Sequence, residues 1–266
     1  MASCRPARRR PGRRAALRRV VVLALAAALA SGAAQAQTRS DTAREKRWAE
    51  QIVPNLVVGD AVELRTDDGI RFLALYAPAA KPRGAVLLTH GPGLHPDHGV
   101  TGELRVNLAD RGYATLSLQM PVLPAEVDDG SAYAGLYPEA ARRIAAGMRF
   151  LQDKGAGRIA IVSHAMGSGM AYEYLRRNRD APVAAWAALS FYGVFEDIAG
   201  RPFPVFDLYG EGDYRGIRGP AGERAQILRS IPGSRQLAAP DGGRFLADGE
   251  KTVLREVAAF LDAIAR

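Results

Sequence analysis

Residues 158–177 read RIAIVSHAMGSGMAYEYLRR. The run Ile159 to Val162 is apolar without alternation, the pattern of a strand covered on both faces. It breaks at Ser163 into a turn of small residues, Ala165, Gly167, Ser168 and Gly169, and passes directly into a helical stretch reaching about Asn178. A doubly buried strand feeding a helix through so short a turn is half of a βαβ unit, because a parallel neighbour can be reached only by a crossover. Helical bundles and antiparallel sandwiches are thereby excluded for this part of the chain.

The same alternation continues on both sides. AVELRT (61–66) and RFLALYA (71–77) flank Asp67-Asp68-Gly69, a hairpin turn signal. GAVLLTHG (84–91) is a second nearly continuous apolar run, followed by a helix at about 101–111 and by YATLSLQM (113–120). A helix from Pro138 to about Lys154 leads into the segment above. VAAWAALSFYG (183–193), FPVFDLYGEGD (203–213), a helix near 220–230, SRQLAAP (234–240) and a helix over about 248–265 complete the series. The expected fold class is α/β: a doubly wound, mostly parallel sheet with a leading antiparallel hairpin and helices on both faces. Ligands of such sheets bind at the carboxyl ends of the strands. Residues 121–137 form a loop with two prolines, Asp128-Asp129-Gly130, Tyr133 and Tyr137. The acidic pair beside glycine reads as a solvated turn. The two tyrosines read equally as a lid or as anchors of the loop.

The first 36 residues stand apart. Eight arginines and no acid fall within residues 1–19, an apolar stretch runs from Val20 to Ala30, and Ala34-Gln35-Ala36 follows. A basic region, a short apolar core and an A-x-A site describe a secretory signal peptide. The core is about half of the roughly 20 apolar residues needed to span a bilayer. Arg18-Arg19 leaves Sec and twin-arginine export both open. The expected organisation is a signal peptide over 1–36, an N-terminal helix or arm over 37–58 capped by Ser40 or Asp41, with Trp48 and Ile52 as an i, i+4 pair, and one domain over 59–266. The expected location is the periplasm or beyond.

Cleavage would change the electrostatics. The whole chain carries +8, and the eight arginines account for all of it, 8 − 8 = 0. A neutral mature chain has no global field to draw nucleic acid or anionic membrane. The single cysteine, Cys4, would leave as well. The mature protein would then have no disulfide, no thiol nucleophile and no cysteine metal site.

LLTHGPG after the third strand, VSHAMGSG at the strand–helix turn, DLYGEGD after a later strand and a terminal helix together resemble the α/β-hydrolase superfamily over residues 60–265. More narrowly, THGPGLHPD, LADRGYATLSLQMP and IVSHAMGSG resemble an exported bacterial α/β-hydrolase-like family of unknown function, domain of unknown function 3530. The resemblance implies a nucleophile elbow, usually G-x-S-x-G. Its five positions here are Ser163, His164, Ala165, Met166 and Gly167, so alanine stands at the nucleophile position. It also implies an acid, matched by Asp213, and a base on the loop after the last strand, near Gly242. The four histidines are at 90, 95, 98 and 164, and none follows 164. One oxyanion donor would be the Met166 amide. The other would fall at Pro92, which has no N–H, unless Gly93 replaces it. Two triad members and one donor are therefore missing from what acyl transfer needs.

Two rescue readings stay open at this point. Ser168, three residues past the elbow, could act with His164, although small residues there also let a helix approach a sheet. His90, His95 and His98 with Asp97 could form a metal site or an Asp–His base, although a Gly/Pro-rich loop offers no rigid scaffold. The expectation is an exported α/β-hydrolase-fold protein with a degenerate Ser-Asp-His triad that binds a small molecule or an envelope partner without catalysis. The alternative is an esterase-like hydrolase using Ser168 or His90, His98 and Asp97. The expected binding residues are His90, Gly91, Gly93, His164, Met166 and Asp213, with no metal, no cofactor, no nucleic acid and no membrane span after cleavage.

Overall fold

In a computed structural model, eight strands form one sheet in the order β1-β2-β4-β3-β5-β6-β7-β8. They are β1 (Asp60–Arg65), β2 (Arg71–Ala77), β3 (Ala85–Thr89), β4 (Ala114–Leu118), β5 (Ile159–His164), β6 (Val183–Leu189), β7 (Val205–Gly210) and β8 (Arg235–Ala239). The first two pair antiparallel, β2 pairs antiparallel with β4, and every later pairing is parallel. The helices are α1 (Thr42–Ile52), α2 (Gly99–Asp110), α3 (Tyr137–Asp153), α4 (Met166–Arg177), α5 (Arg215–Arg218), α6 (Ala221–Leu228) and α7 (Glu250–Ala265). The structure describes Met1, residues 38–127 and residues 129–265. The segment expected to be a signal peptide, apart from Met1, and Asp128 lie outside the described residues, and the unit described below begins at Arg39.

The unbroken apolar runs have a direct cause. In β3, Leu87 joins one apolar core while Val86 and Leu88 join the other. In β5, Ile161 faces the first and Ala160 and Val162 the second. Successive side chains of a strand point to opposite faces, so a sheet covered on both sides needs apolar residues at every position. Leu136, Ile144, Leu151, Met170 and Leu175 of the α3–α4 side fill one face, and Leu104, Leu108, Val253, Val257 and Leu261 of α2 and α7 fill the other.

Helix α1 begins where Asp41 accepts the Arg44 amide at 2.9 Å, an N-cap bond. Of the two candidate caps, Asp41 does the capping, while the Ser40 hydroxyl bonds Glu45 and the Val122 backbone. The helix is fastened by a charge. Glu45 is buried and meets Arg143, which is fully buried on α3 and also binds Glu139. Burial raises the Glu45 pKa, against the pull of Arg143. No helix among the described residues is long and apolar enough to cross a membrane.

Candidate active site

β5 ends in a sharp turn at Ala165, whose backbone sits at φ 52° and ψ −117°. An L-residue pays steric energy in that region. The turn is tight because α4 approaches β3 closely: a Cβ on Gly167 would lie 2.5 Å from the His90 carbonyl oxygen. This is the geometry of a nucleophile elbow, with a buried methyl where the nucleophile would stand. The Met166 amide is the first of α4 and has no intrahelical partner by position. Across the crevice, a Cβ on Gly91 would sit 3.5 Å from both the Ala165 methyl and His164 Nδ1. The His-Gly loop and the elbow thus meet at the carboxyl ends of β3 and β5.

The acid position is well built but already occupied. Asp213 is buried. Its Oδ2 accepts the Ser190 hydroxyl at 2.7 Å and the Gly210 amide at 3.1 Å, and its Oδ1 accepts the Phe245 amide at 2.7 Å. On the loop near Gly242, the residue that meets this carboxylate is Phe245, through its backbone. Gly242 lies against β7, where a Cβ would come within 2.7 Å of Gly210 Cα. Phe245 and Leu246 both have left-handed backbones, at φ 54° and 60°. The buried His164 donates from Nε2 to the Phe245 carbonyl at 2.8 Å. Burial lowers the His164 pKa, so the ring is neutral there.

His90 has a bonding pattern that fixes its tautomer. Nε2 accepts the Met120 amide at 2.9 Å, so the proton sits on Nδ1, which donates to the Gly91 carbonyl at 2.8 Å. Complete burial pushes its pKa down to about 3. It shapes the loop and has no free lone pair for a substrate proton. Asp97 forms an ion pair with the buried Arg105, and His95 packs edge-on to His98 at 5.2 Å. Among the described residues, no group of three or more His, Cys, Asp or Glu side chains is arranged to hold a metal ion. Ser168 is fully buried, with its hydroxyl against the Ser163 and Leu189 carbonyls at 2.9 and 3.0 Å. Neither rescue constellation is assembled: Ser168 faces backbone, and Asp97 faces Arg105 instead of a histidine.

The remaining expected residues divide. Gly93 is on the rim, its carbonyl held by Arg44 of α1 at 3.2 Å. The Met166 sulfur accepts the Tyr137 hydroxyl at 3.0 Å. Tyr133 is buried and its hydroxyl takes the Leu123 amide. Both tyrosines anchor the 121–137 segment. Ser163 is also structural, accepting Trp186 Nε1–H at 2.8 Å. Sequence reasoning missed Phe245, Ser190 and Arg44. Ser190, at φ 49° directly after β6, stands at the carboxyl end of a strand where binding groups of such sheets gather, and that position was the available signal.

Two grooves of about 540 and 400 Å³ lie elsewhere. The larger is at the amino-terminal ends of β3 and β4, beside Arg83, Lys154 and Arg158, and the other lies between α1 and the β1–β2 hairpin. Topology rather than groove size places the site, because open α/β sheets bind ligands at the opposite, carboxyl ends of their strands.

Comparison with solved structures agrees with the fold. Dienelactone hydrolase from Anabaena variabilis is similar at a TM-score of 0.64 and 15% identity, over 76% of this chain and 96% of that one. Est1E from Butyrivibrio proteoclasticus gives 0.63 at 14% identity, over 77% and 98%. The esterase Pf2001 from Pyrococcus furiosus gives 0.60 at 14% identity, over 78% and 97%. The fold is that of the α/β-hydrolases. Identities this low carry the fold and no activity. Residues 16–134 match the family described as "Protein of unknown function (DUF3530)", a match that ends before the elbow. No curated protein matches the sequence.

Proposed function

We propose that this is an exported α/β-hydrolase-fold protein that binds a small molecule or an envelope partner at the carboxyl ends of its strands and does not hydrolyse it. Residues 1–36 are read as the export signal, residues 37–58 as an arm and residues 59–266 as the domain, which places the protein in the periplasm or outside the cell. The observation that carries the non-catalytic reading is the fate of the triad positions around Phe245. Ala165 supplies no nucleophile, Asp213 has its carboxylate filled by Ser190, Gly210 and Phe245, and His164 is tied to the Phe245 carbonyl. Groups that act as a catalytic unit lose most of their effect when one member is removed, and here two are replaced.

A fluorophosphonate probe and a panel of ester and amide substrates test this directly, with Asp213→Asn as control. The expected result is no labelling and no turnover above background in either protein. Labelling on Ser168, or turnover that Asp213→Asn abolishes, would refute the reading.

A further inference from the structure

The backbone around the missing base is held at a cost for which the triad gives no reason. Phe245 and Leu246 are consecutive non-glycine residues in the left-handed region. Such residues persist where their surroundings over-determine them. The surroundings here are the acid position and the elbow: Asp213 takes the Phe245 N–H and His164 gives its proton to the Phe245 C=O. The loop is further pinned by the Gly212 amide on the Gly242 carbonyl at 3.0 Å and by Thr252 on Asp241 at 2.7 Å. Leu246 is buried, whereas the Phe245 ring is left half-buried.

That ring has company. Tyr192, from the end of β6, lies 6.1 Å from it at 57°, and Tyr214, from the end of β7, lies 5.0 Å from it at 50°. Both tyrosines are 39% exposed, among the most exposed large apolar side chains described. Three rings that follow three different strands therefore pack into one partly exposed aromatic cluster beside the elbow. The rim is cationic. The Arg244 guanidinium stacks over Tyr214 at 5.0 Å, and Arg215 and Arg218 follow Tyr214 on α5. None of these three arginines pairs with a carboxylate among the described residues.

We infer that Tyr192, Tyr214 and Phe245 form a stacking site for a small aromatic carboxylate, with Arg244 meeting the anionic group. The inference rests on the binding-protein reading of the same strand ends and names its ligand class. The exposed edges and faces of such a cluster favour edge-to-face and offset contacts with another ring. An unpaired guanidinium presents a planar donor fork that fits a carboxylate. A rigid, pre-formed loop lowers the ordering cost of binding.

Titration of the purified protein with benzoate, followed by ligand-observed NMR, tests it. Binding should saturate with a Kd on the order of millimolar for so small a ligand. Cyclohexanecarboxylate has the same charge without the π system and should bind at least about five-fold more weakly. Tyr192→Ala and Tyr214→Ala should each weaken benzoate about ten-fold, while Tyr214→Phe should stay within about two-fold of wild type. Arg244→Ala should weaken benzoate and leave benzyl alcohol unchanged. Equal affinity for the two carboxylates, unchanged benzoate affinity in Tyr214→Ala with a wild-type melting curve, or no saturation by about 50 mM would overturn the ligand class. The fluorophosphonate experiment separates the two ideas. Labelling together with benzoate binding refutes only the non-catalytic reading, and absence of both refutes only the aromatic site.

Discussion

Ala165→Gly isolates the strain in the elbow. At φ 52° and ψ −117°, residue 165 stores about 1–3 kcal/mol of backbone energy. Glycine reaches positive φ without a Cβ clash and releases it. Two terms oppose the gain. The lost methyl is buried and is worth about 0.8 kcal/mol. Glycine adds about 0.5–1 kcal/mol of unfolded-state entropy. The net change falls near zero, leaning to stabilisation, with a gain of up to about 1 kcal/mol for strain at the middle of its range. A matched substitution removes the ambiguity. Ala187, fully buried in β6, has an ordinary strand backbone, so Ala187→Gly incurs the same two losses without the release. The two glycine variants should differ by the strain alone, about 2 kcal/mol at mid-range. For a domain of this size that is roughly 4–8 °C in Tm. Urea and thermal melts of the two proteins measure the difference. Equal destabilisation in both would mean that residue 165 is unstrained, and the elbow assignment would fall with it.

Ala165→Ser alone should leave ester hydrolysis at background, because no histidine follows residue 164 and His90 has both ring nitrogens committed to the backbone; strong turnover in a p-nitrophenyl ester assay would show that one of the four histidines, His164 through its Nδ1 first among them, serves as base. Arg143→Met leaves Glu45 and Glu139 buried without their shared cation and should cost about 3–5 kcal/mol in a urea melt, whereas a loss below about 1 kcal/mol would show that α1 is held by apolar contacts instead. Stability should fall in acid. The His90 pKa is depressed from 6.5 to about 3, so the unfolded chain binds the extra proton. The contribution is complete above pH 6.5 and is lost as pH falls toward 3, about 2 kcal/mol between pH 6.5 and 5 for this group alone. His164 is shifted the same way, while the raised Glu45 pKa works in the opposite sense. A folding free energy that is flat between pH 7 and pH 5 would refute the neutral, buried assignment of His90.

The central strands were legible because burial on both faces leaves a mark in sequence. Runs such as Val86-Leu87-Leu88 and Ile159 to Val162 have no polar position, and each is a central strand. The elbow was legible for a similar reason: Gly167 and Gly169 record close approaches, to His90 and to Tyr137, that a Cβ would block. Strand ends were less visible. The stretch over 183–193 stops at Leu189 because Ser190 turns left-handed to reach Asp213, and nothing in its neighbours' polarity marks that. Phe245 was hidden because its role is played by backbone. The carboxylate of Asp213 is met by an N–H that every residue but proline carries, so no side-chain type betrays the partner. The buried pair of Glu45 and Arg143 is 98 residues apart in the chain, beyond any periodic pattern.

Alanine at residue 165 leaves the structural reason for the turn intact. The helix after β5 must leave the sheet sharply enough for Gly167 to sit against the carbonyls of Thr89 and His90. A relaxed turn at Ala165 would lift the first turn of α4 off β3. It would also pull the Ser168 hydroxyl from the Ser163 and Leu189 carbonyls and open the contact between Gly169 and Tyr137. The Ser168 hydroxyl is buried, and a buried polar group left without its partner costs about 1–3 kcal/mol. That alone matches the strain stored at residue 165, and the lost helix–sheet packing adds to it, so the fold keeps the elbow bent. The same reasoning extends to the Phe245 backbone. Releasing it would strip the buried Asp213 and His164 of their Phe245 partners and draw the buried Leu246 from the core. What packing leaves without a role is the half-buried Phe245 ring beside two partly exposed tyrosines, and that ring, not the backbone strain, is what points to a ligand.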